Sequence, residues 1–382
     1  MKILITSDWY APVINGVVTS ILNLQHELEK EGHEVMVLTL SGSRRSYRRG
    51  NVFYVGSVRA EAIYPNARLR LRIHAELLDQ IIKWKPDVIH SQCEFSSFTL
   101  AKKIAHRLSI PLVHTYHTIY EDYTHYFCPS RRVGKKAARA FSRMILNHVD
   151  WVIAPTAKTA ELLEQYGVHS GISVIPSGLE LDKFTHHRNL VLSELGIPET
   201  HPLVIYLGRL AKEKNLQEIF AYLENYDGAP FTFVIVGDGP YRETLEEDAR
   251  LVSDKVNIHF LGMVNPQDVP SYYSLGDLFV SASQSETQGL TYIEAAAAGL
   301  PLLCKEDECL AAVLVPGDNG WMFENRDQFL GALSRFLSTS PDDVQKMRNS
   351  SIAISEAFDI RNTVPKVVDV YEKAIQKKQS HS

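Results

Sequence analysis

Two glutamates, Glu286 and Glu294, flank the start of a predicted helix in the stretch SETQGLTYIEAAAAG. Gly289, Leu290 and Thr291 are expected to form its first turn, whose backbone N–H groups have no partner inside the helix and suit a phosphate. Because carboxylates repel phosphate, we expect the glutamates to accept hydrogen bonds from neutral hydroxyls. A nucleotide sugar offers both features, a diphosphate flanked by ribose and hexose hydroxyls. The structural alternatives are an N-terminal capping acid for Glu286 and a buried, paired carboxylate for Glu294.

Four further stretches place candidate ligand contacts at the ends of apolar strands. Gly16 opens a helix after a loop, where its small size lets backbone N–H groups approach an anion. Arg209 and Lys214, in GRLAKEKN, lie between a strand and a helix and suit a diphosphate. Gly239, in VGDGP, lies in a tight turn that a ribose could approach, and the backbone at Met263, in FLGMV, could contact a base. The alternatives are ordinary turns and a solvated pair of cations.

A dense run of histidine and tyrosine follows another predicted strand, in HTYHTIYEDYTHYF. His117 is the first of these residues expected to emerge from the carboxyl end of the strand, where ligands of α/β domains bind. This position favours a catalytic role for His117 over the more usual one of a core or surface histidine.

Residues 131–149, RRVGKKAARAFSRMILNHV, contain six Lys and Arg and no acid. A helical wheel separates them into two faces. The apolar face carries Val133, Ala137, Phe141, Met144 and Ile145. The basic face, predicted to contact a membrane or a lipid acceptor, carries Arg131, Arg132, Lys135, Lys136, Arg139 and Arg143. Such a face suits anionic headgroups. In the alternative, the apolar face packs on the core of its own domain and the basic face is merely solvated.

The chain of 382 residues has a net charge of −5, but that charge is unevenly divided. Residues 1–175 carry 22 Lys and Arg against 15 Asp and Glu, a net charge of +7, whereas residues 176–382 carry 18 against 30, a net charge of −12. A basic first half favours an anionic partner for that half, either nucleic acid or a membrane surface. Nucleic acid is disfavoured, because no nucleic-acid motif is recognised and the acidic half would repel such a polymer.

Composition narrows the class of protein further. The length suits two domains, no run of about 18 apolar residues occurs, and the N-terminus does not resemble a signal peptide. The cysteines have no metal-ligand spacing. They are Cys93, Cys128, Cys304 and Cys309. We therefore expect a cytoplasmic protein with no metal site.

Predicted strands alternate with predicted helices through both halves, which indicates parallel sheets covered on both faces. KILITSD, EVMVLTL, DVIHSQ and PLVHTYH are strands of the first half, and PLVIYLGRL, FTFVIVGDG and DLFVSAS are strands of the second. We expect two doubly wound, Rossmann-like α/β domains, residues 1–178 and 179–358, facing a central cleft. A C-terminal helix within 359–382 is expected to pack back on the first domain.

In this order, the stretches resemble the retaining family-4 glycosyltransferases of the GT-B fold, from residue 1 to about 373. The most specific element is the pair Glu286 and Glu294 followed by Gly299 and Pro301. The resemblance implies that Glu286 contacts the hydroxyls of the donor hexose and takes part in catalysis, and that Glu294 holds the ribose. It implies hexosyl transfer from a nucleotide sugar with retention of the anomeric configuration.

The resemblance also implies how the rest of the donor is held. The diphosphate contacts are Gly16, Arg209, Lys214 and the amides of Gly289 and Leu290. Met263 resembles a base-contacting position, and His117 resembles the catalytic histidine near the anomeric centre. No cofactor or metal is implied, because helix ends and cations neutralise the leaving diphosphate.

The stretch TYHTIYEDYTHY followed by the basic segment is similar to bacterial diacylglycerol glucosyltransferases. This likeness implies UDP-glucose as donor, diacylglycerol as acceptor and a peripheral location on the inner face of the cell membrane. The stretch KEDECLAAVLVPGDNGWMF lacks the Gly-x-x-Glu common in the family, so no donor contact is expected there. The residues leave open a soluble glycosyltransferase with a small or polymeric acceptor, a nucleotide-sugar epimerase and a non-catalytic nucleotide-sugar sensor.

Overall fold

A computed structural model describes residues 1–60, 67–71, 73, 75–124, 130–185, 190, 192–198 and 200–380, without the side chain of Arg131. These residues divide into two compact units. Unit 1 comprises Met1–Gly178 and Ile360–Ser382, and unit 2 comprises Leu179–Asp359. Each unit is a Rossmann-like α/β domain, so the predicted fold class is confirmed.

Unit 1 is built on a sheet with the strand order β10-β9-β8-β7-β1-β2-β4-β3, parallel except where β3 meets β4. The strands are β1 (Lys2–Thr6), β2 (Glu34–Leu40), β3 (Tyr47–Arg49), β4 (Val52–Val55), β7 (Val88–Ser91), β8 (Leu112–Thr115), β9 (Trp151–Ala154) and β10 (Gly171–Val174), with β5 (Ser57–Arg59) and β6 (Arg68–Arg70) forming a separate hairpin. The helices are α1 (Gly16–Lys30), α2 (Ala75–Trp84), α3 (Ser96–Leu108), α4 (Arg131–Leu146) and α5 (Ala157–Gln165).

The order of strands in unit 1 reverses between β1 and β7, which makes this edge a topological switch point. The central strand β1 is buried beyond Lys2, because helices cover both faces of the sheet, and Ile3, Leu4 and Ile5 are 0% exposed. Each such side chain contributes about 1.5–3 kcal/mol to stability through burial. The rigid sheet therefore fixes where the loops after β1 and β7 begin.

Unit 2 has an entirely parallel described sheet with the strand order β13-β12-β11-β14-β15-β16, and its switch point lies between β11 and β14. The strands are β11 (Leu203–Leu207), β12 (Phe231–Val236), β13 (Val256–Gly262), β14 (Leu278–Ser281), β15 (Leu302–Lys305) and β16 (Gly320–Phe323). The helices are α6 (Asp182–Thr185), α7 (Leu216–Leu223), α8 (Arg242–Asp248), α9 (Val269–Tyr273), α10 (Leu290–Ala297), α11 (Arg326–Leu337) and α12 (Pro341–Ser355).

The C-terminal helix α13 (Ile360–Ser380) belongs to unit 1, where its apolar face joins the core beneath β1. Its Tyr371 hydroxyl lies 2.6 Å from Nδ1 of His90 on β7, and Nε2 of His90 lies 2.7 Å from the Thr115 hydroxyl. Burial, reinforced by His114 and His117, holds the pKa of His90 well below its usual value. No described helix is long and apolar enough to cross a membrane.

Acid should destabilise unit 1 through His90. The unfolded histidine takes up a proton below about pH 6.5 and the folded one does not, so its contribution is present above that pH and lost below it, by up to about 1.4 kcal/mol per pH unit. In urea unfolding at pH 7.5 and 5.5, His90→Gln should lose less stability on acidification than the wild type. The exposed His169→Gln is the control and should behave as wild type; equal acid sensitivity of all three proteins would contradict the assignment.

Candidate active site

The loops after β11 and β14 meet at the switch point of unit 2. Lys214, from the first loop, places Nζ 2.5 Å from Oε1 of Glu286, from the second. The Ser283 hydroxyl donates to the same carboxylate oxygen at 2.8 Å. Burial lowers the pKa of Lys214, but Glu286, together with Tyr206 and Glu213, outweighs this effect and holds that pKa above its usual value. The predicted diphosphate cation and the predicted hexose-binding acid are therefore an ion pair.

The first turn of α10 lies directly after Glu286. Gly289 precedes the helix in the left-handed conformation, with φ of 75°, and a Cβ atom there would lie 2.3 Å from the ring of Tyr292. Both facts require glycine. Leu290 and Thr291 open the helix and are partly exposed. The predicted helix start is confirmed, and its role as a phosphate site stays a prediction.

Glu294 lies within α10, one turn beyond that start. The Tyr273 hydroxyl donates a hydrogen bond to its Oε2 at 3.0 Å. Loss of hydration raises the pKa of Glu294 to about 7, against the opposing effect of the Tyr273 hydrogen bond. A carboxylate in such surroundings gains from neutral hydroxyl partners, which replace the missing water without adding charge.

Close packing of the backbone requires glycine at position 239, which the sequence alone did not show. The space for a Cβ on Gly239 is occupied by the Leu210 carbonyl oxygen, 2.1 Å away, and that for one on Gly237 by the Gly208 carbonyl oxygen, 1.9 Å away. Leu210 N–H donates to the Asp238 carbonyl at 3.0 Å, which ties the two loops together. The absence of both side chains lets the loops after β11 and β12 touch, and contact of Gly239 with a ribose stays a prediction.

Arg209 and Met263 lie on the same edge of unit 2. Arg209 is partly exposed, and its backbone carbonyl accepts a hydrogen bond from the Tyr206 hydroxyl at 3.1 Å. Met263 follows β13, and its side chain is 66% exposed. The sheet therefore brings these two predicted residues to the edge that carries Lys214 and Glu286.

In unit 1, Gly16 and His117 lie after β1 and β8. Gly16 is the first residue of α1, capped by the Asn15 side chain, which accepts from Val18 N–H at 2.9 Å. His117 Nε2 lies 2.6 Å from Oε1 of Gln92. Burial, with His114, lowers the pKa of His117 to about 3. At neutral pH His117 is therefore an uncharged hydrogen-bonding group.

Sequence reasoning missed the buried polar residues that lie, like His117, beyond the carboxyl ends of the unit 1 strands. Glu94, 4% exposed, lies 3.2 Å from Nε2 of His114 and accepts a hydrogen bond from Tyr120. The Asp8 carboxylate accepts from the backbone N–H groups of Ser96 and Ser97, at the start of α3. The available signal was a polar residue directly after an apolar strand, in LITSD and VIHSQCE. These stretches did not show the order of the strands, which makes the loops after β1 and β7 neighbours.

The predicted apolar face of α4 is wrong in part, because Val133, Ala137 and Met144 are exposed and only Phe141 and Ile145 are partly buried. Its buried side consists of Gly134, Ala138, Ser142 and Leu146, and the Ser142 hydroxyl lies 2.9 Å from that of buried Tyr116. By contrast, Val133 is 60% and Met144 54% exposed. The small residues let the helix approach its neighbours closely. Val133 and Met144 therefore face outward with the basic residues, whereas Phe141 stacks on Phe95 and Ile145 packs against the core.

The basic residues of α4 also divide into two groups. Arg139 pairs with Glu121 at 2.5 Å and Lys135 pairs with the same carboxylate at 3.5 Å. The loop after β8 thus supplies the acid that the helix lacks. Arg132, Lys136 and Arg143 are exposed. The side chain of Arg131 lies outside the described part.

Comparison with known proteins accounts for both units. The family description Glycosyltransferase Family 4 matches residues 14–183, and Glycosyl transferases group 1 matches residues 188–353. The chain is 34% identical to an alpha-monoglucosyldiacylglycerol synthase of Streptococcus pneumoniae, over 90% of this chain and 79% of that protein. The chain therefore belongs to the family-4 glycosyltransferases.

A second relative and a solved structure agree with this membership. The glycosyltransferase is 34% identical to the alpha-monoglucosyldiacylglycerol synthase of Acholeplasma laidlawii, over 86% of each chain. It shares its fold with a sucrose-phosphate synthase of Thermosynechococcus elongatus, with a TM-score of 0.74 and 18% sequence identity. The match covers 98% of this chain and 99% of that protein. Among the described residues of the glycosyltransferase, no group of three His, Cys, Asp or Glu is placed to hold a metal ion.

Replacing Gly239 tests whether its role is packing. Gly239→Ala forces a Cβ against a backbone carbonyl and should lower the free energy of unfolding by about 1–3 kcal/mol. Gly331→Ala is the control, because a Cβ there meets nothing within 4 Å inside α11 and should stabilise by up to about 1 kcal/mol. Urea unfolding measures both. A Gly239→Ala protein of unchanged stability that has lost nucleotide binding would instead favour direct contact with the ligand.

Proposed function

We propose that the protein transfers glucose from UDP-glucose to a lipid acceptor such as diacylglycerol, at a membrane surface and with retention of the anomeric configuration. The observation that carries the lipid acceptor is the exposed face of α4, which combines large apolar side chains with cations. The membership in the glycosyltransferase family, described above, supports group transfer rather than epimerisation or sensing.

The exposed face of α4 has the composition of a helix that lies in a membrane interface. Val133 and Met144 together with the neighbouring Ala137 provide apolar surface, and Arg132, Lys136 and Arg143 provide charge. Anionic headgroups attract such cations, each contributing about 1 kcal/mol near the surface. Large exposed apolar side chains beside them gain from insertion at the acyl boundary.

The relatives support the same acceptor. Both relatives described above are named alpha-monoglucosyldiacylglycerol synthases, and each aligns with more than four fifths of this chain. Alignment over that length includes both units, so the likeness extends to the unit that carries α4 as well as to the one that carries Glu286.

On this proposal the donor diphosphate binds at the start of α10, with Arg209 and Lys214 neutralising charge. The ion pair with Lys214 holds the Glu286 carboxylate in place for the hexose hydroxyls, and Glu294 accepts from the ribose. The bond from the anomeric carbon to the β-phosphate oxygen breaks as the acceptor oxygen bonds to the same face of that carbon. The acceptor proton passes to the departing phosphate, and UDP is released.

The low pKa of His117 limits what that residue does in the reaction. An imidazole that stays neutral at pH 7 can exchange hydrogen bonds with a sugar hydroxyl but does not act as a cation. The hydrogen bond to Gln92 restricts the rotation of its ring.

Removing the proposed donor contacts should slow transfer strongly. Glu286→Gln and Arg209→Ala should each lower kcat/KM by about 10²–10³-fold, since each removes a charged contact to the reacting part of the donor. The assay uses labelled UDP-glucose and vesicles that contain diacylglycerol, with the product identified by mass and its anomeric configuration by NMR. Lys346→Glu, on the exposed surface of unit 2, is the control. Unchanged rates in both site variants would refute the donor site.

Membrane attachment should depend on the exposed cations of α4. Reversal of Arg132, Lys136 and Arg143 to Glu should weaken binding to phosphatidylglycerol vesicles at low salt by about 100-fold or more. The matched control reverses Lys102, Lys103 and Arg107, which are exposed on α3 of the same unit. Co-sedimentation measures both. Equal binding by the two triple variants would refute docking through α4, and sugar transfer to a water-soluble acceptor alone would favour a soluble glycosyltransferase.

A further inference from the structure

Tyr273 is a buried tyrosine that the proposed reaction does not use. It ends α9 and is 0% exposed, with its ring 6.3 Å from that of Phe184 and 6.1 Å from that of Phe279. Its hydroxyl extends beyond these rings to α10. There it lies 3.0 Å from Oε2 of Glu294 and 3.3 Å from the Thr291 carbonyl oxygen.

The Tyr273 hydroxyl is a donor over the whole working range of pH. Burial, reinforced by the Glu294 carboxylate, raises the pKa of Tyr273 well above its usual value. A phenol has a single proton to donate, and the carboxylate oxygen is the nearer and the more strongly charged of the two acceptors. The hydrogen bond therefore engages one oxygen of Glu294 and stabilises its ionised form.

The other oxygen of Glu294 is left for a ligand. Oε1 receives no hydrogen bond from the part of the chain that the structure describes, and the residue is partly exposed. A glutamate side chain has several rotamers, and holding it in one costs entropy of up to about 2 kcal/mol. Tyr273 is fixed by its aromatic neighbours, and its hydrogen bond restricts the Glu294 side chain before any ligand binds. Ligand binding therefore loses less of this entropy.

We propose that Tyr273 is a positioning residue, which holds the Glu294 carboxylate toward the ribose diol of a nucleoside diphosphate and so sets a preference for ribose over 2′-deoxyribose. This inference rests on the proposed donor site. A carboxylate held by one oxygen presents the other in a fixed direction, where a diol donates to it. A site built to accept from a hydroxyl discriminates strongly against the analogue that lacks it, because its buried acceptor is then left without a partner.

The test compares the dissociation constants of UDP and 2′-deoxy-UDP by titration calorimetry, for the wild type and for Tyr273→Phe. The ring of phenylalanine keeps the packing, so the variant loses little besides the hydroxyl. The wild type should prefer UDP by about 10-fold or more, as expected for one hydrogen bond to a charged group. Tyr273→Phe should weaken UDP binding several-fold and leave 2′-deoxy-UDP nearly unchanged, which reduces the preference.

Two further proteins separate positioning from a general loss of structure. Tyr272→Phe removes a hydroxyl from the neighbouring, partly buried residue of the same helix and should keep the wild-type preference. In a Glu294→Gln background, adding Tyr273→Phe should not change the preference further, since the carboxylate through which it acts is gone. If Tyr273 had only a structural role, its replacement would weaken the binding of both nucleotides equally.

The outcomes distinguish this inference from the donor site itself. A Tyr273→Phe protein that keeps the wild-type preference, or that loses affinity for both nucleotides alike, overturns the positioning role and leaves the donor site intact. A wild type that binds UDP and 2′-deoxy-UDP equally overturns it as well. Failure of the wild type to bind UDP at millimolar concentration overturns the proposed donor site, and the inference with it.

Discussion

The candidate donor site depends on the place where two neighbouring parallel strands, β11 and β14, end. Their carboxyl ends lie side by side, and the chain leaves them in different directions because the strand order reverses there. The gap that results is bounded by one loop that carries Lys214 and another that carries Glu286, and the 2.5 Å ion pair joins them. Two residues that are 72 positions apart in the chain thus become contacts, and the start of α10 follows at once.

Fixed neighbours oppose the effect of burial on the polar groups at this edge. Lys214 stays charged because Glu286 lies beside it, whereas the Tyr273 hydroxyl offsets burial only in part at Glu294, whose pKa is raised to about 7. In unit 1 the relation is opposite, because His90 and His117 are held uncharged by burial among other histidines. Unit 2 therefore has charged groups suited to a nucleotide sugar, while the histidines of unit 1 interact through neutral hydrogen bonds.

The composition of the exposed surface of α4 follows from the close packing of its buried side. Gly134, Ala138 and Ser142 recur every four residues and let the helix lie near the elements it covers. Had Val133 and Met144 faced inward, more apolar surface would have been buried, but the helix would have been held further from the core. The outward apolar side chains leave a surface that suits the acyl boundary of a membrane.

Much of the local structure could be predicted from the sequence. Alternating apolar runs and helical patterns predicted the two α/β domains, and Gly16 opens α1 as predicted, because Asn15 caps the helix directly before it. The start of α10 was predictable as well, since Gly289 precedes a small-residue helix. These features depend on neighbours in the chain, and local patterns determine them.

Contacts between distant segments could not be predicted in this way. The packing of Gly239 on the Leu210 carbonyl, the hydrogen bond from Tyr273 to Glu294 and the buried side of α4 each require knowledge of which element lies opposite. By itself the sequence determined the elements, their order and the residues at the strand ends. Only the tertiary structure decided the partners of those residues and the face that α4 buries, because burial and hydrogen bonding depend on segments far away in the chain.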